Sequence, residues 1–198
     1  EDAMQGEFKY VNTYDGDGTQ GVVTENDKCI IGDPNPDFLV NLTTAVSYKG
    51  FTLSAFFQSS IGNDIYSLSM AAQAYDYGYN GNTLREVYYN HWTPENPTAK
   101  YPNLDQTSYK MSDRFVYDGS FVRLKNLELA YDVPCARSKF IKRARVYVSA
   151  QNLFTITSYP FWDPDINANG GGSSMIQGVD SYCYPSARTY TIGCRLTF

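Results

Sequence analysis

Residues 37–58 read DFLVNLTTAVSYKGFTLSAFFQ, and the alternation within them decides the fold. Phe38, Val40, Leu42, Thr44, Val46 and Tyr48 fall in one phase of a period-two pattern, against Leu39, Asn41, Thr43, Ala45 and Ser47 in the other. After Lys49-Gly50, Phe51, Leu53, Ala55 and Phe57 resume the apolar phase against Thr52, Ser54, Phe56 and Gln58. Two such runs joined by two turn residues predict a β-hairpin. Each run has about the 9–11 residues that a tilted strand needs to cross a bilayer, more than the roughly five or six of an ordinary sheet.

The same pattern closes the chain. In SARTYTIGCRLTF, residues 186–198, Tyr190, Ile192, Cys194, Leu196 and Phe198 share one phase, and Thr189, Thr191, Gly193, Arg195 and Thr197 the other. In GSFVRLKNLELAYDVP, residues 119–134, Val122 and Leu124 stand in one phase and Leu127, Leu129 and Tyr131 in the next, which predicts a bulge near Lys125 and Asn126. Residues 143–157 set Ala144, Val146, Val148 and Ala150 against Arg145, Tyr147, Ser149 and Gln151. An opening strand over about Glu7 to Thr13 would bring the total to about six.

Composition points the same way. Of 198 residues, 18 are Tyr and 11 Phe, and only 19% are charged, below the roughly 25% of a soluble domain. The net charge of −5 and the absence of any Lys/Arg run exclude nucleic acid and anionic membrane surfaces as electrostatic partners. No apolar run approaches the roughly 20 residues of a membrane-spanning helix, so a membrane would have to be crossed by strands. The opening residues carry neither a signal pattern nor a starting methionine, so the chain is expected to be the C-terminal part of something longer. Four cysteines without C-x-x-C spacing and a single histidine, His91, argue against zinc. Isolated thiols are expected rather than a Cys29–Cys183 bridge.

The connections between these strands run long, short, long, short, long. Outer-membrane barrels show this asymmetry, with short periplasmic turns and long extracellular loops. By that parity Phe198 ends on the periplasmic side. Within the longest connection, Thr83 and Glu86 have capping-box spacing, and Leu84, Val87, Tyr88 and His91 recur at helical intervals, which predicts a short helix with a packed histidine. Residues 64–77 are a second helix candidate.

Three sets of residues are candidates for binding. Asp15, Asp17 and Asp27 form an irregular version of a calcium loop, against the default of a Gly- and Asp-rich turn. Tyr75, Tyr77, Tyr79, Phe161 and Trp162 lie in the long connections beside amides and carboxylates, as aromatic contacts for cargo or a partner would. Asp163 and Asp165, which flank Pro164, are candidate polar contacts for the same cargo or partner. Two residues apart on a turn, they make a poor glycosidase pair, and no other acid/base constellation stands out, so the chain is expected not to be an enzyme.

Taken together, GDPNPDF (32–38), WTPENPTAKYP (92–102), DGSFVRLKNLELAYDVP (118–134), RVYVSAQNLFTIT (145–157), DPD (163–165) and YPSARTYTIGCRLTF (184–198) resemble the C-terminal end of SusC/RagA-type TonB-dependent outer-membrane transporters. The resemblance implies an all-β chain, residues 1–198 supplying about six antiparallel meander strands to a transmembrane barrel of the roughly 22-stranded plugged class. It also implies a Gram-negative outer-membrane location, with loops extracellular and the C-terminus periplasmic. The implied partners are the lipid bilayer, a SusD-like surface lipoprotein, glycan or peptide cargo, and the TonB complex acting through an N-terminal plug outside this sequence. Tyr190, Ile192, Leu196 and Phe198 resemble the terminal signal read by the barrel-assembly machinery. No cofactor is implied beyond calcium near residues 15–27. A secreted β-sandwich that binds carbohydrate is the alternative, and it would bury the apolar faces in one core.

Overall fold

The computed structural model describes residues 5–14, 22–75, 82–104, 110–135, 140–166 and 177–198. Its strands are β1 (Phe38–Tyr48), β2 (Phe51–Ile61), β3 (Asp64–Ser67), β4 (Val116–Asp118), β5 (Phe121–Val133), β6 (Arg143–Thr157), β7 (Val179–Asp180) and β8 (Thr189–Thr197). Two helices, α1 (Leu68–Tyr75) and α2 (Arg85–Tyr89), lie between β3 and β4. The chain divides into two compact units, one built from residues 34–65, 118–178 and 183–198, the other from residues 1–33, 66–117 and 179–182.

The first unit is a wall of five antiparallel strands in the order β1-β2-β5-β6-β8. Its hairpin has the predicted register, with Tyr48 opposite Phe51 and Phe38 opposite Ile61. Lys49 (φ 45°) and Gly50 (φ 87°) both take the left-handed conformation, which a two-residue turn needs to match the twist of its strands. Residues directly opposite each other point to the same face, so the register carries one apolar phase across all five strands. Val46 pairs with Leu53, Leu53 with Leu129, Leu129 with Val148, and Val148 with Ile192.

The bulge falls where the sequence places it. Leu124 pairs with Phe57 and Asn126 with Phe56, leaving Lys125 as the extra residue. That insertion keeps Val122 and Leu124 in phase with Leu127, Leu129 and Tyr131. On β6, Asn152 adopts φ 51°, which Asn tolerates better than most side chains. Its amide donates to the Ala187 carbonyl at 3.0 Å.

The two faces differ in kind. The apolar face stays open, with Ile192 85% exposed and Val40, Val46, Val148 and Tyr190 also exposed. A contiguous apolar surface of this extent marks a lipid or protein contact. The opposite face carries charges: Arg145 reaches Glu128 at 3.7 Å and Asp132 at 3.5 Å, and Arg143 reaches Asp132 at 3.3 Å. The short connections and the end of β8 lie at one edge of the wall, and the long connections at the other.

Gly193 lies on the polar face opposite Tyr147, and a Cβ there would collide with the phenol ring. Gly193→Val is therefore expected to displace Tyr147 and cost about 1–3 kcal/mol. Recovery of most of that loss in Gly193→Val/Tyr147→Ala, measured by thermal unfolding of the assembled barrel, is the check.

The second unit has its own core of Ala71, Ala74, Val87, Tyr101 and Phe115, with Phe8, Tyr66, Met70, Leu84 and Leu104 packed on it. Ala71 and Ala74 are three residues apart, so α1 turns one small-residue face inward. The Ser67 hydroxyl accepts from the Met70 amide at the start of α1. Strand β3 pairs with β7 in parallel, Tyr66 opposite Val179 and Ser67 opposite Asp180.

Several expectations need correction here. Residues 7–13 form no strand, so the wall has five strands rather than six. Their backbone is held otherwise: the Thr13 and Tyr14 amides donate to the Asp27 carboxylate at 2.6 and 2.9 Å. The predicted helix shrinks to Arg85–Tyr89, its N-cap is Leu84, and the Thr83–Glu86 capping box does not form. The Thr83 hydroxyl instead donates to the Gln73 carbonyl, and Glu86 pairs with Lys100. His91 lies beyond α2, where its Nδ1 meets the Tyr88 carbonyl at 2.7 Å. The Trp92 ring packs on Gly6. All four cysteines are unbridged.

Candidate functional site

The most organised polar cluster centres on a residue that pattern reading passes over. Arg123 sits on the polar phase of β5, opposite Thr155 of β6, and is only 1% exposed. A buried guanidinium needs partners for its five donors. Its Nε donates to Thr155 Oγ1 at 2.9 Å, and Nη1 to Ser186 Oγ at 3.2 Å and Asp165 Oδ2 at 3.3 Å. Nη2 donates to Asp163 Oδ1. The Phe121 ring lies beneath, 5.2 Å from the guanidinium carbon, near enough for a cation–π contact.

Asp163 is the counterpart, 6% exposed. Oδ1 also accepts from the Asp165 amide at 2.9 Å, and Oδ2 from the Ser186 amide at 2.8 Å. One carboxylate thus joins the Asp163–Asp165 corner to the segment leading into β8. Lys125, the bulge residue, approaches Asp165 at 3.6 Å. Two cations face two carboxylates, so the cluster is neutral.

Burial by itself would raise the Asp163 pKa, but the Ser186 and Asp165 amides and Arg123 outweigh it and hold the group below its ordinary 3.8. A carboxylate whose folded pKa is depressed stabilises above its ordinary pKa and loses that contribution as pH falls through the lowered value. Exchange protection of the Asp165 and Ser186 amides, normalised for intrinsic rates, should therefore stay constant from about pH 7 to about pH 4 and fall only below that. Loss of protection near pH 6 would contradict the assignment.

The sequence candidates are placed as follows. Asp163 is engaged as a structural counter-ion rather than displayed for cargo, and a carboxyl held ionised cannot store a general acid's proton. Asp165 is 37% exposed and keeps an open side. Trp162 stands 69% exposed, while Phe161 is half-buried beside the buried ring of Tyr159 at 5.8 Å between centroids. Tyr75 ends α1; its side chain, with Tyr77 and Tyr79, lies outside the described residues. Asp15 and Asp17 also lie outside them.

Asp27 accepts from the Thr24 amide at 2.6 Å besides those of Thr13 and Tyr14, and the Thr24 amide leads the bonds that lower its pKa. Its Oδ2 is thus held in the capping box with Thr24, and its Oδ1 by the Thr13 and Tyr14 amides. Among the described residues no three His, Cys, Asp or Glu side chains gather as a metal site would require. Tyr190, Ile192 and Leu196 lie on the open apolar face, and Phe198 follows β8, 71% exposed.

A run of long antiparallel strands with one open apolar face, one charged face and all long connections at one edge defines a piece of β-barrel wall. No family model matches the chain. It is 35% identical over 183 residues to the TonB-dependent receptor P3 of Formosa agariphila, an alignment covering 90% of this chain and 18% of that protein. It is 29% identical over 181 residues to the TonB-dependent receptor SusC of Bacteroides thetaiotaomicron, covering 90% of this chain and 17% of SusC. The structure of the RagAB peptide importer superposes with a TM-score of 0.72 at 28% identity, over 85% of this chain and 18% of that one. This chain is thus similar to a stretch of the barrel of SusC/RagA-type TonB-dependent receptors, and it spans about a fifth of the length of those relatives.

Proposed function

We propose that the protein containing this chain is an outer-membrane importer of glycans or oligopeptides, to which these residues contribute the C-terminal wall and long surface connections. The observation that carries the reading is the apolar phase running unbroken from Val46 to Ile192 across five strands. Lipid covers that face, water or a plug the charged one, and no covalent chemistry is involved. The long connections face outward, where exposed Trp162 contacts cargo or a SusD-like lipoprotein lid; TonB supplies energy through a plug elsewhere in the protein.

A secreted sandwich would hide this apolar face in a core, yet it is open in this chain, Ile192 most of all. The test is fractionation of the native source, with outer-membrane extract run unheated and heated on a denaturing gel and probed for this segment. A large, heat-modifiable species that co-purifies with a lipoprotein is expected. A soluble species of about this chain's length would overturn the proposal.

A further inference from the structure

A concavity of about 170 Å³ opens in the first unit at the edge of the wall that carries the long connections. The wall strands line it with Leu39, Gln58, Ser60 and Phe121, all from the polar phase, the face turned away from lipid, and Ile65 of β3 adds an apolar side chain. Pro34, Pro36 and Pro164 add apolar plates. Asp165 gives it a carboxylate whose orientation is set by Arg123 and Lys125.

Two lining side-chain amides, that of Gln58, half-buried on β2, and that of Gln177, which is exposed, find no hydrogen-bond partner among the described residues. An unpaired half-buried amide is unfavourable unless something outside the chain completes it. Each offers two donors and an acceptor.

We propose that this concavity is a subsite for one sugar ring of a neutral oligosaccharide. Three observations choose that class. The one charged group in the lining, Asp165, belongs to a cluster that cancels, Arg123 and Lys125 against Asp163 and Asp165. Unpaired amides beside a carboxylate match neighbouring hydroxyls, while proline and phenylalanine surfaces match the C–H face of a pyranose. The volume is below the roughly 300–1,000 Å³ of a site that encloses a whole small molecule, so it takes one unit of a longer chain. A peptide would instead seek backbone partners at a free strand edge, and β2 and β5 are paired on both sides.

The inference rests on the import reading, and the two can fail separately. The full-length receptor with its lipoprotein partner, fluorescently labelled in detergent, is applied to arrays of neutral oligosaccharides and of oligopeptides. Affinity for the best oligosaccharide is then measured on Gln58→Leu and Gln177→Leu, with Ser149→Ala as a control and heat-modifiable migration verifying assembly. Retention on neutral oligosaccharides, with roughly tenfold weaker binding in Gln58→Leu and no change in Ser149→Ala, is expected. Sugar binding unchanged in both glutamine variants overturns the subsite and leaves the import reading intact. Retention on peptides alone does the same, and retention on neither array removes both.

Discussion

Replacing Arg123 by methionine is expected to destabilise the Asp163–Asp165 corner by about 3–5 kcal/mol, because it leaves Asp163 buried without its cation. The loss should be local. Thr155, on β6, keeps its strand pairing, whereas the corner and the entry to β8 are joined through Asp163 and the guanidinium. Hydrogen exchange in the assembled receptor would read the change as a loss of roughly two to nearly four orders of magnitude in protection at the Asp165 and Ser186 amides. Adding Asp163→Asn should recover much of it: the asparagine removes the stranded charge yet keeps an acceptor for one amide. If Arg123→Met leaves protection unchanged, or the double variant is worse than the single, the cluster does not hold the corner.

Charge placed on the apolar face should be about as costly, for a different reason. Val148 and Ile192 are paired neighbours near the middle of β6 and β8. Val148→Arg or Ile192→Arg is expected to cost about 2–4 kcal/mol near the bilayer midplane. Ser149 and Thr191 are likewise paired, one residue on, facing the other way. Arginine there should be tolerated, since that face already carries Arg145 and Glu128. Unfolding of the receptor from lipid vesicles distinguishes the pairs, and equal tolerance at both would dispose of the lipid-facing assignment.

These predictions draw unequally on sequence and structure. The Val148–Ile192 prediction was legible in the alternation alone, and so was the bulge at Lys125. The expected strand over residues 7–13 was not realised, because Asp27, fourteen residues beyond Thr13, captures the Thr13 amide. Phe8 and Tyr10 alternate too briefly to resist such competition. Helix α2 was foreseen as an element but lost its capping box, since Thr83 and Glu86 found partners at Gln73 and Lys100.

By itself, the sequence determined the five strands of the wall, which way each faces and where the long connections gather. Period-two alternation is a local property, and any register that buries one face must respect it. Only the tertiary structure decided that Asp163 is a buried counter-ion rather than a cargo contact, and that Gln58 borders a concavity. Arg123 draws its partners from 32, 40, 42 and 63 residues away. A lone arginine in a strand looks like any solvated charge until the chain returns to cover it, and burial then makes pairing obligatory.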